Sequence, residues 1–157
     1  VWARRRHAAE ALAAQWRGEG FDAGVAHDLA AAVRRAPIVS CATLATAPVV
    51  RGEWLAPGSH LDLIGSFTPA MREADDACFR GASVWVDTEE ALAKSGELLA
   101  PMPSGACTLA GLARGEVPGR STTTERSVFK SVGTALEDLA AAMLVQAVAA
   151  PPATPTP

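Results

Sequence analysis

The chain alternates short apolar runs with stretches in which apolar residues recur at helical spacing. From residue 1 to about residue 110, this alternation is typical of βα units and indicates a parallel sheet with flanking helices. The predicted strands are 1–3, 21–26, 38–43, 60–65 and 83–87, and the predicted helices are 9–18, 27–36, 69–80 and 89–99. The run at 38–43 is apolar at most positions, which predicts burial on both faces of the sheet.

The pattern changes after residue 100. Residues 101–124 are rich in Gly, Pro, Ser and Thr, so we predict mostly loop with one short helix near 109–114. Thr134 and Glu137 form a capping box for a helix at 134–148. That helix is apolar nearly all round, which predicts burial against another surface. Residues 149–157 form a Pro/Thr/Ala tail that we predict to be disordered.

Composition narrows the possible functions. With 157 residues and a net charge of -3, the chain has room for one ordinary domain and carries no basic cluster beyond Arg4, Arg5 and Arg6. We therefore expect no nucleic-acid partner, and no apolar run of membrane-spanning length suggests a membrane partner. Three cysteines and three histidines lack metal-type spacing, so no metal site is predicted. Free cysteines favour the reducing cytoplasm.

Doubly wound sheets bind dinucleotides beyond the carboxyl ends of their strands. The glycine-rich turn that normally joins the first strand to the first helix is absent, so the pattern alone reaches only an α/β domain. The loops at 43–46 and 65–67 follow predicted strands and are the candidate ligand contacts.

Five blocks of sequence extend this interpretation. In order and spacing they resemble the ornithine cyclodeaminase/mu-crystallin family, from about residue 1 to residue 148. They are Pro-Val-Val-Arg-Gly-Glu-Trp-Leu at 48–55 with Pro-Gly-Ser-His at 57–60, Gly-Ser-Phe-Thr-Pro at 65–69 with Met-Arg-Glu at 71–73 and Asp-Asp at 75–76, Val-Asp at 86–87 with Gly-Glu-Leu-Leu at 96–99, Phe-Lys-Ser-Val-Gly at 129–133, and Ala-Leu-Glu-Asp-Leu-Ala at 135–140.

The resemblance implies an α/β fold: a Rossmann-like parallel sheet with helices on both faces, lacking the first strand and the glycine turn. Residues 1–118 are then a partial NAD(P)-binding domain and 119–148 a segment returning to the substrate domain. Since the chain begins at Val1 without methionine, we interpret it as a carboxyl-terminal portion that is inactive alone. The family implies a homodimer for the full-length protein, with the helix at 134–148 packing on the substrate and dimerisation domain.

The resemblance also implies cofactor contacts. Ala3 stands where NAD-binding members carry a carboxylate for the ribose, and Arg4 and Arg5 follow it, which favours the 2′-phosphate of NADP over NAD. Ser131 matches a cofactor position and Val132 a substrate position. The remaining implied cofactor contacts are Thr43, Leu61, Asp62, Leu63 and Ile64.

Two substitutions bear on the reaction. Phe67 stands where cyclodeaminases carry a catalytic aspartate, and Met71 where they often carry lysine. The resemblance therefore implies the imine-reductase branch, in which a nicotinamide delivers hydride to a C=N carbon beside a carboxylate, as in ketimine and Δ1-pyrroline-2-carboxylate reductases. The expected partner is a small cyclic imine or amino acid.

No residue of this chain is predicted to be catalytic. Lys130 and Arg72 are cationic candidates for a substrate carboxylate, although both residue types commonly form structural ion pairs. We interpret Glu73, Asp75 and Asp76 as charges that complement the dipole of the helix at 69–80.

Three alternatives remain open. Within the family they are ornithine cyclodeaminase and alanine dehydrogenase. The third is a non-catalytic, mu-crystallin-like ligand-binding protein.

Overall fold

A parallel sheet of five strands organises the computed structural model, which describes residues 1–99 and 105–149. The strands are β1 (Ile38–Cys41), β2 (His60–Leu63), β3 (Ala82–Val86), β4 (Cys107–Thr108) and β5 (Arg126–Lys130). They lie in the order β1-β2-β5-β3-β4, and every neighbouring pair is parallel. The predicted parallel α/β sheet is therefore confirmed.

The middle strand of the sheet is the last one in sequence. In register, Phe129 of β5 lies beside Asp62 of β2 on one side and beside Trp85 of β3 on the other. The sequence analysis predicts no strand at 126–130, because the charged residues Arg126 and Lys130 flank only a short apolar stretch. The division at residue 118 stays a prediction, yet the segment 119–148 supplies the strand that joins both halves of the sheet.

The two faces of the sheet differ. One face carries the buried side chains of the core, with Leu61, Val84 and Val128 at the centre. On the other face, at the β1 edge, Ile38 is 66% exposed and Ser40 is also exposed. The prediction that 38–43 is buried on both faces is therefore wrong. The strand occupies an edge of the sheet, where its outer residues lack covering side chains in the described part of the chain.

The helices partly follow the predictions. The first two predicted helices are confirmed, and Asp28 caps the second by accepting from the Ala31 amide. The helix predicted over 89–99 forms only at its centre, and the short helix near 109–114 is confirmed. The bounds are α1 (Arg6–Gly18), α2 (Leu29–Arg35), α3 (Ala91–Lys94), α4 (Leu109–Ala113) and α5 (Ala135–Ala149).

The helix predicted over 69–80 is wrong. The segment forms turns and one 3-10 turn at Asp76–Cys78. Its backbone instead bonds to the chain that follows β1: Arg72 N donates to Ala45 O over 2.7 Å, and Val50 N donates to Glu73 O over 2.9 Å. Backbone groups engaged in this tertiary pairing cannot also close helical turns.

The strands predicted at 1–3 and 21–26 do not form as strands. The two segments nevertheless pair, because the Val1 amino group donates to Gly24 O over 2.7 Å and Ala26 N donates to Val1 O over 2.8 Å. At the other end, α5 is confirmed but every residue in it is exposed. Residues 150–157 of the predicted disordered tail lie outside the described residues. None of the described helices is long and apolar enough to span a membrane.

Candidate functional site

The carboxyl ends of the central strands meet at one edge of the sheet. Ile64 N donates to Cys41 O over 3.0 Å, which ties the end of β2 to the end of β1. Ser131 N donates to Leu63 O over 3.0 Å, which ties the end of β5 to the end of β2. We call this region, consisting of residues 42–46, 64–67, 87–88 and 131–133, the carboxyl edge. Ligands of open α/β sheets bind at such an edge.

Several of the predicted cofactor residues come together at this edge. Thr43 and Ser131 are half-buried there, and Ile64 is 45% exposed. Val132, the predicted substrate contact, follows Ser131 and is also half-buried.

The other residues of the predicted β2 contact lie elsewhere in the sheet. The side chains of Leu61 and Leu63 belong to the core. Asp62 points to the opposite face, where its Oδ2 accepts from Ser40 Oγ over 2.7 Å. The side chains of these three residues therefore serve the core and the contact with β1, and their backbone groups belong to β2, which pairs with β1 and β5 on its two sides.

The side chain of Glu73 joins two loops of the carboxyl edge. Its Oε1 accepts from the Thr43 amide over 2.5 Å, and its Oε2 accepts from the Gly65 amide over 2.8 Å. The residue is fully buried and no α-helix forms at 69–80, so the interpretation of Glu73 as a charge that complements the dipole of that helix is wrong. Gly65 is required at this contact, since a Cβ would overlap the backbone N and O of Thr43.

A second buried carboxylate stands behind the first. Glu97 accepts from the Glu73 amide over 2.6 Å and from the hydroxyls of Ser66 and Ser95 over 2.7 and 2.8 Å. Glu97 is 1% exposed, and both serines are fully buried. A buried carboxylate needs donors to offset its desolvation, and this cluster supplies each carboxylate oxygen of Glu73 and Glu97 with at least one.

Lys130 closes the cluster from β5. Its ammonium group donates to the backbone carbonyls of Leu63 over 3.2 Å, of Ser131 over 2.9 Å and of Ser66. Burial lowers the pKa of this lysine, while the negative charges of Glu97 and Glu73 oppose that shift. Lys130 was a cationic candidate for binding a substrate carboxylate, but its ammonium group already donates to three backbone carbonyls. We call Glu73, Glu97, Ser66, Ser95 and Lys130 the buried polar cluster.

Asp87, which follows β3, fixes the last loop of the edge. Its Oδ2 accepts from Ser131 Oγ over 2.8 Å and from the amides of Val132 over 2.8 Å and Gly133 over 2.7 Å. Partial burial raises the pKa of Asp87, but these hydrogen bonds and one from Thr88 N outweigh burial and hold it below its usual value.

The remaining candidates lie at exposed or partly exposed positions. Arg72 donates to Asp76 over 2.5 Å, as a structural ion pair does. Phe67 is 47% exposed beside the buried Ser66. Arg4 and Arg5 are exposed, Ala3 is half-buried, and no hydrogen bond in the described residues joins these three side chains to the carboxyl edge. α1, which follows them, has no side-chain cap and no acidic residue in its first turn.

Sequence reasoning missed Glu97, Ser66 and Asp87 as organisers of the edge. Each is an ordinary polar residue in a stretch with no diagnostic spacing, and its importance comes from hydrogen bonds between distant segments, such as Ser66 to Glu97 and Ser131 to Asp87. Only the block resemblance, which contains all three, offered a signal.

Comparisons with known proteins agree with this architecture. The family model described as "Ornithine cyclodeaminase/mu-crystallin family" matches residues 1–150. The Δ1-pyrroline-2-carboxylate reductase of Paracoccus denitrificans is 43% identical over 96% of this chain and 50% of its own length. The ketimine reductase mu-crystallin of Mus musculus is 38% identical over 92% of this chain and 45% of its own length.

A solved structure shows the same fold. The Δ1-pyrroline-2-carboxylate reductase of Thermococcus litoralis, in complex with NADH and L-proline, superposes with a TM-score of 0.84 at 30% identity. The match covers 92% of this chain and 47% of that one. The chain thus spans about half the length of the curated relatives it matches.

Proposed function

The chain belongs to the ornithine cyclodeaminase/mu-crystallin family, and from this premise we propose that it is part of an NAD(P)H-dependent reductase of cyclic imines. The observation that carries the proposal is the carboxyl edge, where Thr43, Ile64 and Ser131 converge on fixed backbone. Two relatives named for ketimine or Δ1-pyrroline-2-carboxylate reduction support the choice of substrate class.

The residues of the edge fit a nicotinamide cofactor. Thr43 and Ser131 offer half-buried hydroxyls on neighbouring loops, and Ile64 offers an apolar surface between them. A nicotinamide ring, which is flat and partly charged, suits a site that combines polar hydroxyls with an apolar surface. When bound, the cofactor supplies the hydride that reduces the C=N carbon. The protein's part is to hold that carbon in place and to exclude water.

The loop at 65–67 supports reduction over deamination. Phe67 has no ionisable group, so it cannot transfer a proton at the reacting carbon as a carboxylate would. Its half-exposed ring adds apolar surface to the edge, which suits the hydrocarbon part of a cyclic imine. Ornithine cyclodeamination is therefore the weaker alternative.

NADP is the cofactor that the amino-terminal segment favours. Arg4 and Arg5 are exposed just before α1, where the positive end of the helix dipole also favours an anion. Ala3 offers no carboxylate to repel a 2′-phosphate. We propose that Ala3, Arg4 and Arg5 form the adenosine-phosphate contact.

We also propose that the 157 residues alone do not turn over substrate. The two cationic candidates are already engaged: backbone carbonyls hold Lys130, and Asp76 holds Arg72. Neither is available to clamp a substrate carboxylate. In the whole protein, which we propose to be a cytoplasmic homodimer, other residues would do so.

Nucleotide binding to the purified chain tests the proposal. We expect NADPH to bind more tightly than NADH by fluorescence titration, and Arg4→Asp to weaken NADPH binding selectively. Arg34→Asp, which changes an exposed arginine on α2, serves as the matched control. Binding of neither nucleotide would overturn the proposed function, and equal loss in both variants would overturn the assignment of the phosphate contact.

A further inference from the structure

We infer that Glu73 is a positioning residue for the nicotinamide nucleotide, because its one carboxylate sets the spacing between the Thr43 loop and the Gly65 loop. The inference rests on the proposed function and deepens it. Glu73 does not face the open edge, since it is fully buried, so it acts through the two loops that do.

The geometry of the carboxylate makes this role specific. Its two oxygens each accept one backbone amide, from Thr43 over 2.5 Å and from Gly65 over 2.8 Å. The two loops follow adjacent strands, so one rigid planar group spans the gap between the ends of β1 and β2. A charged acceptor makes stronger hydrogen bonds than a neutral one, and here it makes two at once.

The carboxylate is itself held from behind. Glu97 accepts from the Glu73 amide over 2.6 Å and from Ser66 Oγ over 2.7 Å, and Lys130 donates to the Ser66 carbonyl. Lys130 also reaches Ser131 O over 2.9 Å, so the cluster extends to the third loop of the edge. A displacement at Glu73 therefore reaches the three loops that carry Thr43, Gly65 and Ser131.

Glutamine at position 73 isolates the contribution of the carboxylate. Its amide group has nearly the shape of the carboxylate but keeps only one acceptor oxygen, so one loop amide faces an NH2 group instead. Glu125→Gln is the matched control: this carboxylate accepts from the Ser121 amide over 2.5 Å and from the Ser83 hydroxyl, near the amino-terminal ends of β3 and β5. The Glu125→Gln substitution removes the same charge as Glu73→Gln, but at the end of the strands opposite the carboxyl edge.

The experiment combines amide hydrogen exchange with nucleotide titration of the full chain. In Glu73→Gln we expect exchange at Thr43 or Gly65 to accelerate about tenfold or more, and the Kd for NADPH to rise about tenfold. In Glu125→Gln we expect accelerated exchange at Ser121 and an unchanged Kd. If the Glu73→Gln chain does not fold, the wild-type chain provides the test. NADPH must then slow amide exchange at Thr43 and Gly65 and leave the exchange rate at Ser121 unchanged.

The outcomes separate the two claims. Accelerated loop exchange with an unchanged Kd overturns the positioning role and leaves the proposed function intact. Unchanged exchange at both amides overturns the role as well, as does an equal rise of Kd in both variants. A wild-type chain that binds neither nucleotide overturns the proposed function and, with it, the role of Glu73 toward a cofactor.

Discussion

The ammonium group of Lys130 lies 3.2 Å from the carbonyl oxygen of Leu63, on the neighbouring strand and 67 residues earlier in the chain. Both residues are fully buried. The lysine thereby joins β5, the middle strand of the sheet, to the end of β2, and it places a positive charge near two buried carboxylates. Much of what holds the carboxyl edge together depends on such contacts between distant segments.

Lys130→Met tests this contact. Methionine fills a similar volume but leaves the carbonyl of Ser66 without its donor and two buried carboxylates without a cation nearby. We expect a loss of about 3 kcal/mol in the free energy of unfolding, measured by urea denaturation. Lys94→Met is the control, because Lys94 forms an exposed ion pair with Glu90 and should contribute less than about 1 kcal/mol. Equal losses in the two variants would contradict the prediction.

Gly65→Ala tests the close approach of the two loops. An added Cβ would overlap the backbone of Thr43 and the carboxylate of Glu73, which the amides of Thr43 and Gly65 hold in place. We expect destabilisation of about 1–3 kcal/mol by the same measurement. Gly24→Ala is the control, since a Cβ there meets nothing within 4 Å. A Gly65→Ala chain as stable as the Gly24→Ala chain would refute the predicted overlap.

Asp87 gives the chain a defined acid sensitivity. Its folded-state pKa is lowered from 3.8, so its contribution to stability is complete above that value and is lost as the pH falls through the lowered pKa. We expect Asp87→Asn to be less stable than the wild type at pH 7 and to lose less further stability between pH 5 and 2. Thermal unfolding across that range measures both effects.

The control for Asp87 is Asp22→Asn. Asp22 is an exposed carboxylate that accepts no hydrogen bond within residues 1–99 and 105–149. Its replacement should leave the pH profile of stability close to that of the wild type. A profile for Asp87→Asn that parallels the wild type at all pH values would show that the Asp87 carboxylate does not stabilise the loop at 131–133.

α5 should make the chain self-associate. Leu136 is 70% exposed and Val148 is 80% exposed, and no polar face separates the apolar residues of this helix. Large exposed apolar patches drive association in water. We expect light scattering to show species larger than a monomer, and Leu139→Glu with Met143→Glu to reduce them. Gln146→Glu adds a charge at a polar position and is the control; a monodisperse wild-type monomer would contradict the prediction.

The sequence predicted much of the fold because the signals were local. The helix predicted at 27–36 is bounded by Pro37, which cannot continue a helix, and α2 accordingly ends at Arg35. The apolar runs that become β1, β2 and β3 were recognisable from residue type, since β-branched and other apolar residues are enriched in strands. The family resemblance rested on short blocks whose order survives, and the family match over residues 1–150 confirms it.

The predictions for residues 69–80 and for β5 failed because pairing with distant segments decides the structure there. Thr68 before Pro69 is typical of a helix start, yet the backbone at 72–75 bonds to residues 45–50 instead. β5 was missed because its polar ends conceal a strand that becomes favourable only between β2 and β3. In both cases, partners distant in sequence supply the hydrogen bonds, and local propensity cannot represent them.

The sequence by itself determined the parallel α/β class, the family and the segments that follow the strands. Only the tertiary structure decided which polar residues organise those segments. Nothing in the sequence marks Glu73, Glu97 and Lys130 as buried, because charged side chains are seldom buried without partners and those partners lie far away in the chain. Their partners are backbone amides, carbonyls and hydroxyls that folding brings together at the carboxyl edge. Because these hydrogen bonds offset the cost of desolvation, the three charged side chains can be buried and can hold the loops of the site in place.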